Sequence, residues 1–376
     1  MPILLLAGVI ALFAFTDGAG LNVEPAAPIE SITFGRTILN PGEIELQIRN
    51  TSQQDVSISQ ININDAIWPF TISESPIPRL SGATLTISYP WIEAEAYAIT
   101  LFSSNAVPFT TNVDVASETP SASSATFWKF TLVGLYVGVI PIILGVLWLP
   151  VLRRISPRSM LFLMAATVGL LLFLGVDATN EALEQANLLG GPFQGTGLVA
   201  IGIVGAILLL NAIGRRPTTT GSKGADARMA FAWLIAIGIG LHNLGEGLAI
   251  GAAYSVGAAS LGTFLVIGFI IQNVTEGLGI IMPIAKDRPS LKTLALLSLV
   301  GGAPAILGAW IGDFITAPAL SVLFLSVGAG AVFQVAYSIG KKLVWTGDSS
   351  RSMALTSFAG VTAGMLALYV TGVLVK

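Results

Sequence analysis

Long apolar runs dominate the chain from residue 127 to its end. There are eight of them, separated by short polar connections, and each has about 20 residues or more, the length needed to cross a bilayer. The predicted spans cover 127–152, 159–186, 195–213, 228–254, 259–285, 291–313, 318–343 and 353–375. Because a chain in lipid must satisfy its backbone polar groups internally, we expect each run to be a helix.

Apolar and polar positions alternate between residues 22 and 118. The alternation is clearest at 31–34, 43–48, 56–59, 84–87 and 111–115, with turn residues such as Asn40, Pro41 and Gly42 in between. A period of two is typical of strands that bury one face. The pattern predicts a small β-sandwich, immunoglobulin-like or cupredoxin-like in outline, over residues 21–116. Its role is either a passive extracytoplasmic cap or a partner-binding or entrance-guarding domain.

Two further segments complete the predicted organisation. Residues 1–20 begin with an apolar stretch that is short for a span and has no basic residue before it, which indicates a signal peptide or a short N-terminal anchor. Residues 117–126 form a linker by composition, and residues 127–376 form the transmembrane domain. The predicted fold class is an all-α polytopic membrane protein of eight transmembrane helices, preceded by a small extracytoplasmic β-sandwich domain.

Composition excludes several other classes. Hydrophobic residues make up 53% of the 376 residues and charged residues only 10%, against about 25% charged in a soluble domain. The net charge of −3 comes without a basic stripe, so no nucleic-acid partner is expected. Zero cysteines exclude disulfides and thiolate ligands, and a single histidine excludes any site that needs two imidazoles.

The charges divide the chain and orient it. Residues 1–126 carry 3 basic and 12 acidic groups, whereas residues 127–376 carry 15 basic and 9 acidic groups. Thirteen of the 18 basic residues lie in four alternate connections, and the connections at 187–194, 255–258 and 314–317 have none. By the positive-inside rule the basic connections are cytoplasmic, which places the β-domain and the C-terminus outside a cell membrane.

Two similar polar motifs interrupt the fourth and fifth spans. HNLGEG at 242–247 and QNVTEG at 272–277 are offset by 30 residues. Because the two helices are consecutive and antiparallel, the shared pattern predicts a local pseudo-twofold axis that brings like groups together. Positions i and i+4 share a helix face, which puts His242 beside Glu246 and Gln272 beside Glu276.

These motif residues predict a metal site in the middle of the membrane. A buried carboxylate in a span costs about 2.5–3.5 kcal/mol, and two that meet would repel each other unless a proton or a cation intervened. Two carboxylates, an imidazole and amide oxygens suit Zn²⁺, Mn²⁺, Fe²⁺ or Cd²⁺. The competing interpretation, hydrogen bonding between helices, explains an isolated polar residue better than a duplicated pattern with two carboxylates.

At these residues the sequence resembles the ZIP (Zrt/Irt-like) family of divalent metal transporters, nearest to its GufA-like branch. The resemblance covers about residues 127–376 and does not extend to the β-domain. It implies transport of a divalent transition metal, zinc first, toward the cytoplasm, with the metal as substrate and no prosthetic group. By motif position it implies that the metal ligands are His242, Asn243, Glu246, Gln272, Asn273 and Glu276.

Three positions depart from the family pattern. Gly245 and Thr275 stand where proline usually precedes the motif glutamate, and Ala303 stands where the sixth span usually has glutamate. The departures keep open an alternative, a transport-inactive metal-sensing or scaffold subunit whose β-domain binds a partner. An intramembrane metalloenzyme is disfavoured because one histidine without an HExxH motif supplies neither the usual ligands nor a spare base, so no enzyme activity is expected.

The second span carries a further polar group at its outer end. Asp177, Asn180, Glu181 and Glu184 lie close together there, and three of them share one helix face. They form either an outer entrance that attracts cations or simply a solvated helix end. The expected partners are the bilayer and the metal ion; a homodimer is compatible with this interpretation.

Overall fold

The computed structural model describes residues 2–15, 29–113, 115–119, 123–214, 224–255, 259–314, 318–345 and 351–375. Parts of the predicted signal and linker segments, at residues 16–20 and 120–122, lie outside the described residues. So do the basic residues Arg215, Arg216 and Lys223 of the connection between the third and fourth spans.

The helices follow the apolar runs. They are α1 (Pro2–Phe15), α2 (Ser124–Gly134), α3 (Ile140–Val146), α4 (Leu149–Leu152), α5 (Pro157–Asn187), α6 (Gly195–Gly214), α7 (Ala225–Ser255), α8 (Ala259–Ile281), α9 (Leu291–Gly302), α10 (Pro304–Phe314), α11 (Pro318–Trp345) and α12 (Arg351–Val375). A π-helical segment at Leu135–Val139 joins α2 to α3, and short 3-10 turns occur at Gly191–Phe193 and Met282–Ile284.

Eight helical segments in the described residues are long and apolar enough to cross a membrane, which confirms the predicted number. We call them spans 1 to 8 in chain order: Ser124–Leu152, Pro157–Asn187, Gly191–Gly214, Ala225–Tyr254, Val266–Ile284, Leu291–Gly312, Ala319–Leu343 and Met353–Gly372. Their length and composition are those of a multi-pass membrane protein. The basic connections mark one end of the spans, called here the basic end.

The N-terminal region is an antiparallel β-structure, as predicted. Its strands are β1 (Ile32–Asn40), β2 (Glu43–Asn50), β3 (Ile58–Ile63), β4 (Ala66–Trp68), β5 (Thr71–Ile72), β6 (Gly82–Ile87), β7 (Tyr97–Ser103) and β8 (Pro108–Val113). They form two four-stranded sheets, in the orders β1-β2-β6-β5 and β4-β3-β7-β8. Alternate residues such as Ile44, Leu46, Ile61 and Leu101 are fully buried in one apolar core, so the period-two pattern reflects a shared buried face.

The spans pack in two groups. Spans 1, 4, 5 and 6 pack mainly against one another, and span 2 packs against spans 7 and 8 while span 3 packs against span 7. Contacts between span 4 and span 7 join the groups. Because both paired motifs lie in the first group, the groups could move relative to each other without separating the motifs.

The β-region contacts the connection between spans 2 and 3. Gly190 lies against Thr51 so closely that a Cβ at this position would overlap the threonine side chain. The guanidinium of Arg49 lies 5.9 Å from the centroid of the Phe193 ring, within cation–π range. The sheet β1-β2-β6-β5 therefore rests on the end of the spans opposite the basic end.

Candidate metal site

The two motifs lie in the interior of the protein, on α7 and α8. His242, Glu246, Gln272 and Glu276 each expose between 3% and 6% of their surface, and both motif asparagines are fully buried. Six polar side chains are thus withdrawn from solvent on two neighbouring helices. Buried polar groups of this kind require partners, because an unpaired carboxylate in an apolar interior is costly.

The motif side chains contact one another across the two helices. His242 Nε2 lies 3.2 Å from Glu246 Oε1, one turn away on the same helix. Gln272 Nε2 lies 3.3 Å from His242 Nε2, donates to Glu246 Oε1 in a short hydrogen bond and lies 3.5 Å from Glu276 Oε1. His242, Glu246 and Glu276 each offer a ligand atom, and these atoms lie within 4.8 Å of one another. His242, Glu246 and Glu276 are called the central cluster below. They can place three ligand atoms around one metal ion.

Each motif asparagine is held by a backbone carbonyl of another span. Asn273 Nδ2 donates to Val137 O at 3.0 Å and to Glu246 Oε2 at 3.0 Å. Pro141 lacks the amide hydrogen that an α-helix would direct to Val137 O, so that carbonyl can accept from a side chain. Asn243 Nδ2 donates to Gly301 O at 2.9 Å, at the end of α9, just before Pro304. Span 1 and span 6 thus each supply one backbone carbonyl that accepts a hydrogen bond from a motif asparagine.

Two glycines allow these helix pairs to approach closely. A Cβ at Gly247 would overlap the backbone of Ala305 in span 6, and a Cβ at Gly277 would overlap the backbone of Ile142 in span 1. Each glycine directly follows a motif glutamate. Small residues at a helix crossing let the backbones come together, and here the crossing fixes the distance between each asparagine and its carbonyl.

Three buried oxygen atoms of the motifs lack a hydrogen-bond donor among the described residues. They are Asn243 Oδ1, Asn273 Oδ1 and Glu276 Oε2. Such atoms cost free energy when nothing compensates them. All three atoms are hydrogen-bond acceptors without a donor. A cation bound beside them would take the place of the missing donors. A half-turn of the Gln272 amide would exchange its NH₂ for Oε1 and add another oxygen, so the donor set fits a divalent ion.

The positions that depart from the family pattern have their own local structure. Thr275 Oγ1 donates to Gln272 O at 2.6 Å, so its side chain bonds back to the preceding turn of its own helix. A Cβ at Gly245 would make ordinary van der Waals contact, since its nearest neighbours would be atoms of Leu325 at 3.6 Å. Ala303 lies in the break between α9 and α10.

Span 7 of the second group reaches the central cluster. A Cβ at Gly328 would lie 3.2 Å from Cα of His242, which is closer than most real contacts. The backbone of His242 therefore lies at the boundary between the two groups of spans. A displacement of span 7 would change the surroundings of His242 directly.

The predicted outer-entrance residues are not part of the central cluster. Asp177, Asn180, Glu181 and Glu184 are all exposed on α5, and none of them belongs to the buried set of three possible metal ligands. Within the helix, Gln185 Nε2 donates a hydrogen bond to Glu181 Oε1 at 2.9 Å. Their exposure suits either an entrance or a solvated helix end.

An ion pair lies at the basic end of the motif-bearing spans. Arg228 at the start of α7 forms a two-point contact with Asp287, with Nε donating to Oδ2 at 2.7 Å. The hydrogen bonds from Arg228 hold the pKa of Asp287 below its ordinary value. In addition, Lys342 Nζ lies 3.4 Å from the centroid of the Phe231 ring, which links span 7 to span 4. Both contacts tie spans together at this end.

Sequence reasoning missed several polar contacts within the spans. The carbonyls of Val137 and Gly301 belong to the backbone, so no side chain in the sequence marks them. The one available sign was a nearby proline inside each apolar run. Gln334 Nε2 also donates to Asn211 Oδ1 at 2.9 Å, between spans 7 and 3, and the only sequence signal was an isolated amide in each run. No family model matches the chain.

Proposed function

We propose that the chain is a membrane transporter that moves divalent transition-metal cations, zinc in particular, toward the cytoplasm. The observation that carries this proposal is the central cluster of His242, Glu246 and Glu276, buried within a protein of eight membrane-spanning helices. Two carboxylates within 4.8 Å of each other and of an imidazole repel unless a positive charge lies between them. A divalent ion removes that repulsion and also engages oxygens that have no other partner.

The donor set suits transport because it favours release. It consists of carboxylate, amide and imidazole groups, and the chain has no cysteine to bind a soft metal tightly. The location of the central cluster also supports a transport function. His242 lies beside Gly328 of span 7, where the two groups of spans meet, so a rocking motion between the groups would open the central cluster to one side and then the other.

The charges support an orientation of the protein, and the direction of transport toward the cytoplasm is what the resemblance to ZIP transporters implies. Thirteen of the 18 basic residues lie in the connections at the basic end, and the positive-inside rule assigns that end to the cytoplasm. The β-domain and the C-terminus are then extracytoplasmic in a cell membrane. The exposed carboxylates of span 2, such as Glu181 and Glu184, would face the side from which cations arrive and raise their local concentration.

The proposal agrees with the resemblance of residues 127–376 to ZIP transporters. Eight spans and the two motifs support that membership, and so does the contact of His242 with Glu246 and Gln272. In this proposal the metal ion is the substrate, the protein has no prosthetic group, and no covalent chemistry takes place.

Uptake of radioactive zinc into proteoliposomes tests this function. The wild type should accumulate zinc above protein-free vesicles, and both Glu246→Ala and Glu276→Ala should reduce the rate to the vesicle background. Gln334→Leu provides a matched control, because it removes a buried polar group of span 7 outside the central cluster. Background flux by the wild type would contradict the transporter function, and so would unchanged flux in both glutamate variants.

A transport-inactive metal sensor is the second candidate. The observation that favours it is the local structure at Thr275 and Ala303: a threonine bonded to its own helix replaces one usual proline, and a methyl group replaces the usual sixth-span carboxylate. A sensor would bind one zinc per chain without moving it. Zinc binding by the wild type that is lost in Glu276→Ala, together with background flux, would support the sensor.

A further inference from the structure

A cavity lies between the β-region and the connection of spans 2 and 3. Its volume is about 420 Å³, within the usual range of small-ligand sites, about 300–1,000 Å³. Residues of the sheet β1-β2-β6-β5, among them Thr33, Arg49 and Thr84, line one wall. Leu188 and Phe193, from the connection, line the opposite wall. The cavity therefore combines polar groups on one side with apolar groups on the other.

The charge of the lining is unlike that of the domain around it. Arg49 is the one charged residue among the side chains that line the cavity, although residues 1–126 hold 12 acidic and 3 basic groups. The one charge in the lining is positive, and it favours an anion in the cavity over a cation. The ligand it suits carries a negative charge and an apolar part.

The position of Arg49 prepares it to bind an oxyanion. Its Nη1 donates to Leu80 O at 3.0 Å and its guanidinium lies 5.9 Å from the Phe193 ring centroid, so the side chain is held from two directions. A guanidinium has five N–H donors in a planar arrangement that matches the oxygens of a phosphate. Its remaining donors are available to such a group.

The length of α5 indicates that the cavity lies at the height of lipid headgroups. Helix α5 has 31 residues and is about 46 Å long at about 1.5 Å per residue. A bilayer with its headgroup layers is about 40–45 Å thick. Since Arg153 and Arg158 mark the basic end of this span, the connection at Leu188 and Phe193 falls in the headgroup layer of the opposite leaflet.

We propose that this cavity binds the phosphate headgroup of an anionic phospholipid from the leaflet at that end of the spans. Arg49 binds the phosphate, and the first carbons of the acyl chains lie along Leu188 and Phe193. Because the β-region and the connection of spans 2 and 3 each supply one wall, a bound headgroup fastens the β-region to the membrane domain. The proposal is independent of metal transport.

Native mass spectrometry of the purified full chain tests the proposal. Dioleoyl phosphatidylglycerol, which is anionic, and dioleoyl phosphatidylcholine, which is neutral overall, serve as probes. The wild type should retain phosphatidylglycerol in preference to phosphatidylcholine. Arg49→Gln should reduce that preference about tenfold, as expected for the loss of a charge-assisted hydrogen bond. Arg79→Gln is the matched control, because it removes the same charge from the same domain outside the cavity lining.

A second variant separates binding from folding. Thr84→Phe fills the cavity from a position on the inner strand β6 and keeps Arg49 in place, and it should also remove the preference. An equal preference in the wild type and Arg49→Gln would overturn the proposal, as would an equal loss in Arg79→Gln. Retention of glycerol 3-phosphate without retention of the lipid would also overturn it, since the occupant would then be a soluble anion.

Discussion

The two motif glutamates should respond differently to loss of charge. Both oxygens of Glu246 have donors: Oε1 accepts from Gln272 Nε2, and Oε2 accepts from Asn273 Nδ2 at 3.0 Å. Glu276 accepts at Oε1 only, and its Oε2 has no partner among the described residues. Substitution of each by glutamine keeps the shape of the side chain and removes one charge.

In the metal-free protein the two substitutions should have different effects on the free energy of unfolding. In Glu246→Gln the new NH₂ group must face a donor, from either Gln272 or Asn273, so one buried donor loses its acceptor. That loss costs about 1–3 kcal/mol of unfolding free energy. In Glu276→Gln the NH₂ can replace the unpaired Oε2, so no other residue's donor loses its acceptor, and the repulsion between the carboxylates disappears. We expect its unfolding free energy to equal or exceed that of the wild type.

Zinc binding should fall in both variants. Loss of a residue that only supports a metal ligand lowers metal affinity about 10- to 100-fold, so loss of a carboxylate from the central cluster should lower it by at least about 100-fold. At a zinc concentration of about 100 times the wild-type Kd, binding stabilises the wild type by about 2.7 kcal/mol. A variant bound 100-fold more weakly retains only about 0.4 kcal/mol under the same conditions.

Thermal unfolding in detergent with and without zinc, combined with a zinc titration against a competing chelator, measures both quantities. Gln334→Leu should keep the wild-type zinc affinity, because Gln334 lies outside the central cluster. If Glu276→Gln binds zinc within about threefold of the wild type, the central cluster is not the zinc site. If metal-free Glu246→Gln is as stable as the wild type, the hydrogen bonds assigned to Glu246 are wrong.

Two other predictions concern packing and charge. Gly247→Ala should cost about 1–3 kcal/mol of stability, because the new methyl group would overlap the backbone of Ala305. Gly245→Ala, two residues away, places its methyl group in ordinary van der Waals contact with Leu325, so it should be neutral or stabilising by up to about 1 kcal/mol. Equal melting temperatures for the two variants would contradict the close helix crossing. Asp287→Asn should lower stability by about 0.5–1 kcal/mol near neutral pH, the usual size for a partly exposed ion pair with Arg228. Because the pKa of Asp287 lies below its ordinary 3.8, this difference should persist at pH values above 3.8 and vanish as the pH falls through the lowered pKa; a difference that is constant with pH would contradict the ion pair.

The sequence predicted the spans well because the membrane imposes a single requirement on them. A helix in lipid must be apolar over about 20 residues, and that signal does not depend on distant contacts. The β-region was predicted less completely. Strand β7 was missed because two apolar residues, Ala98 and Phe102, stand on the face opposite its buried Tyr97, Ile99 and Leu101 and blur the alternation. Strands β4 and β5 have only 3 and 2 residues, too few to show a period.

The sequence predicted the motif residues of the site. It did not predict the backbone carbonyls of other spans that hold the motif asparagines. The repeated motif marked His242 and the two glutamates, since consecutive antiparallel helices must bring equivalent positions together. The contact of Asn273 with Val137 O joins residues 136 positions apart, and that of Asn243 with Gly301 O joins residues 58 apart. Such contacts depend on how spans 1 and 6 pack, which a single sequence does not encode in any local pattern.

X-ray absorption at the zinc K-edge of the zinc-loaded protein tests the central claim most directly. The chain has one histidine and no cysteine, so zinc in the central cluster should show one imidazole among oxygen ligands at about 2.0–2.2 Å and no sulfur. His242→Ala should remove the imidazole contribution, and Glu276→Gln should reduce the amount of zinc bound. A spectrum of zinc with oxygen ligands only, unchanged in His242→Ala, would contradict a metal site formed by His242, Glu246 and Glu276.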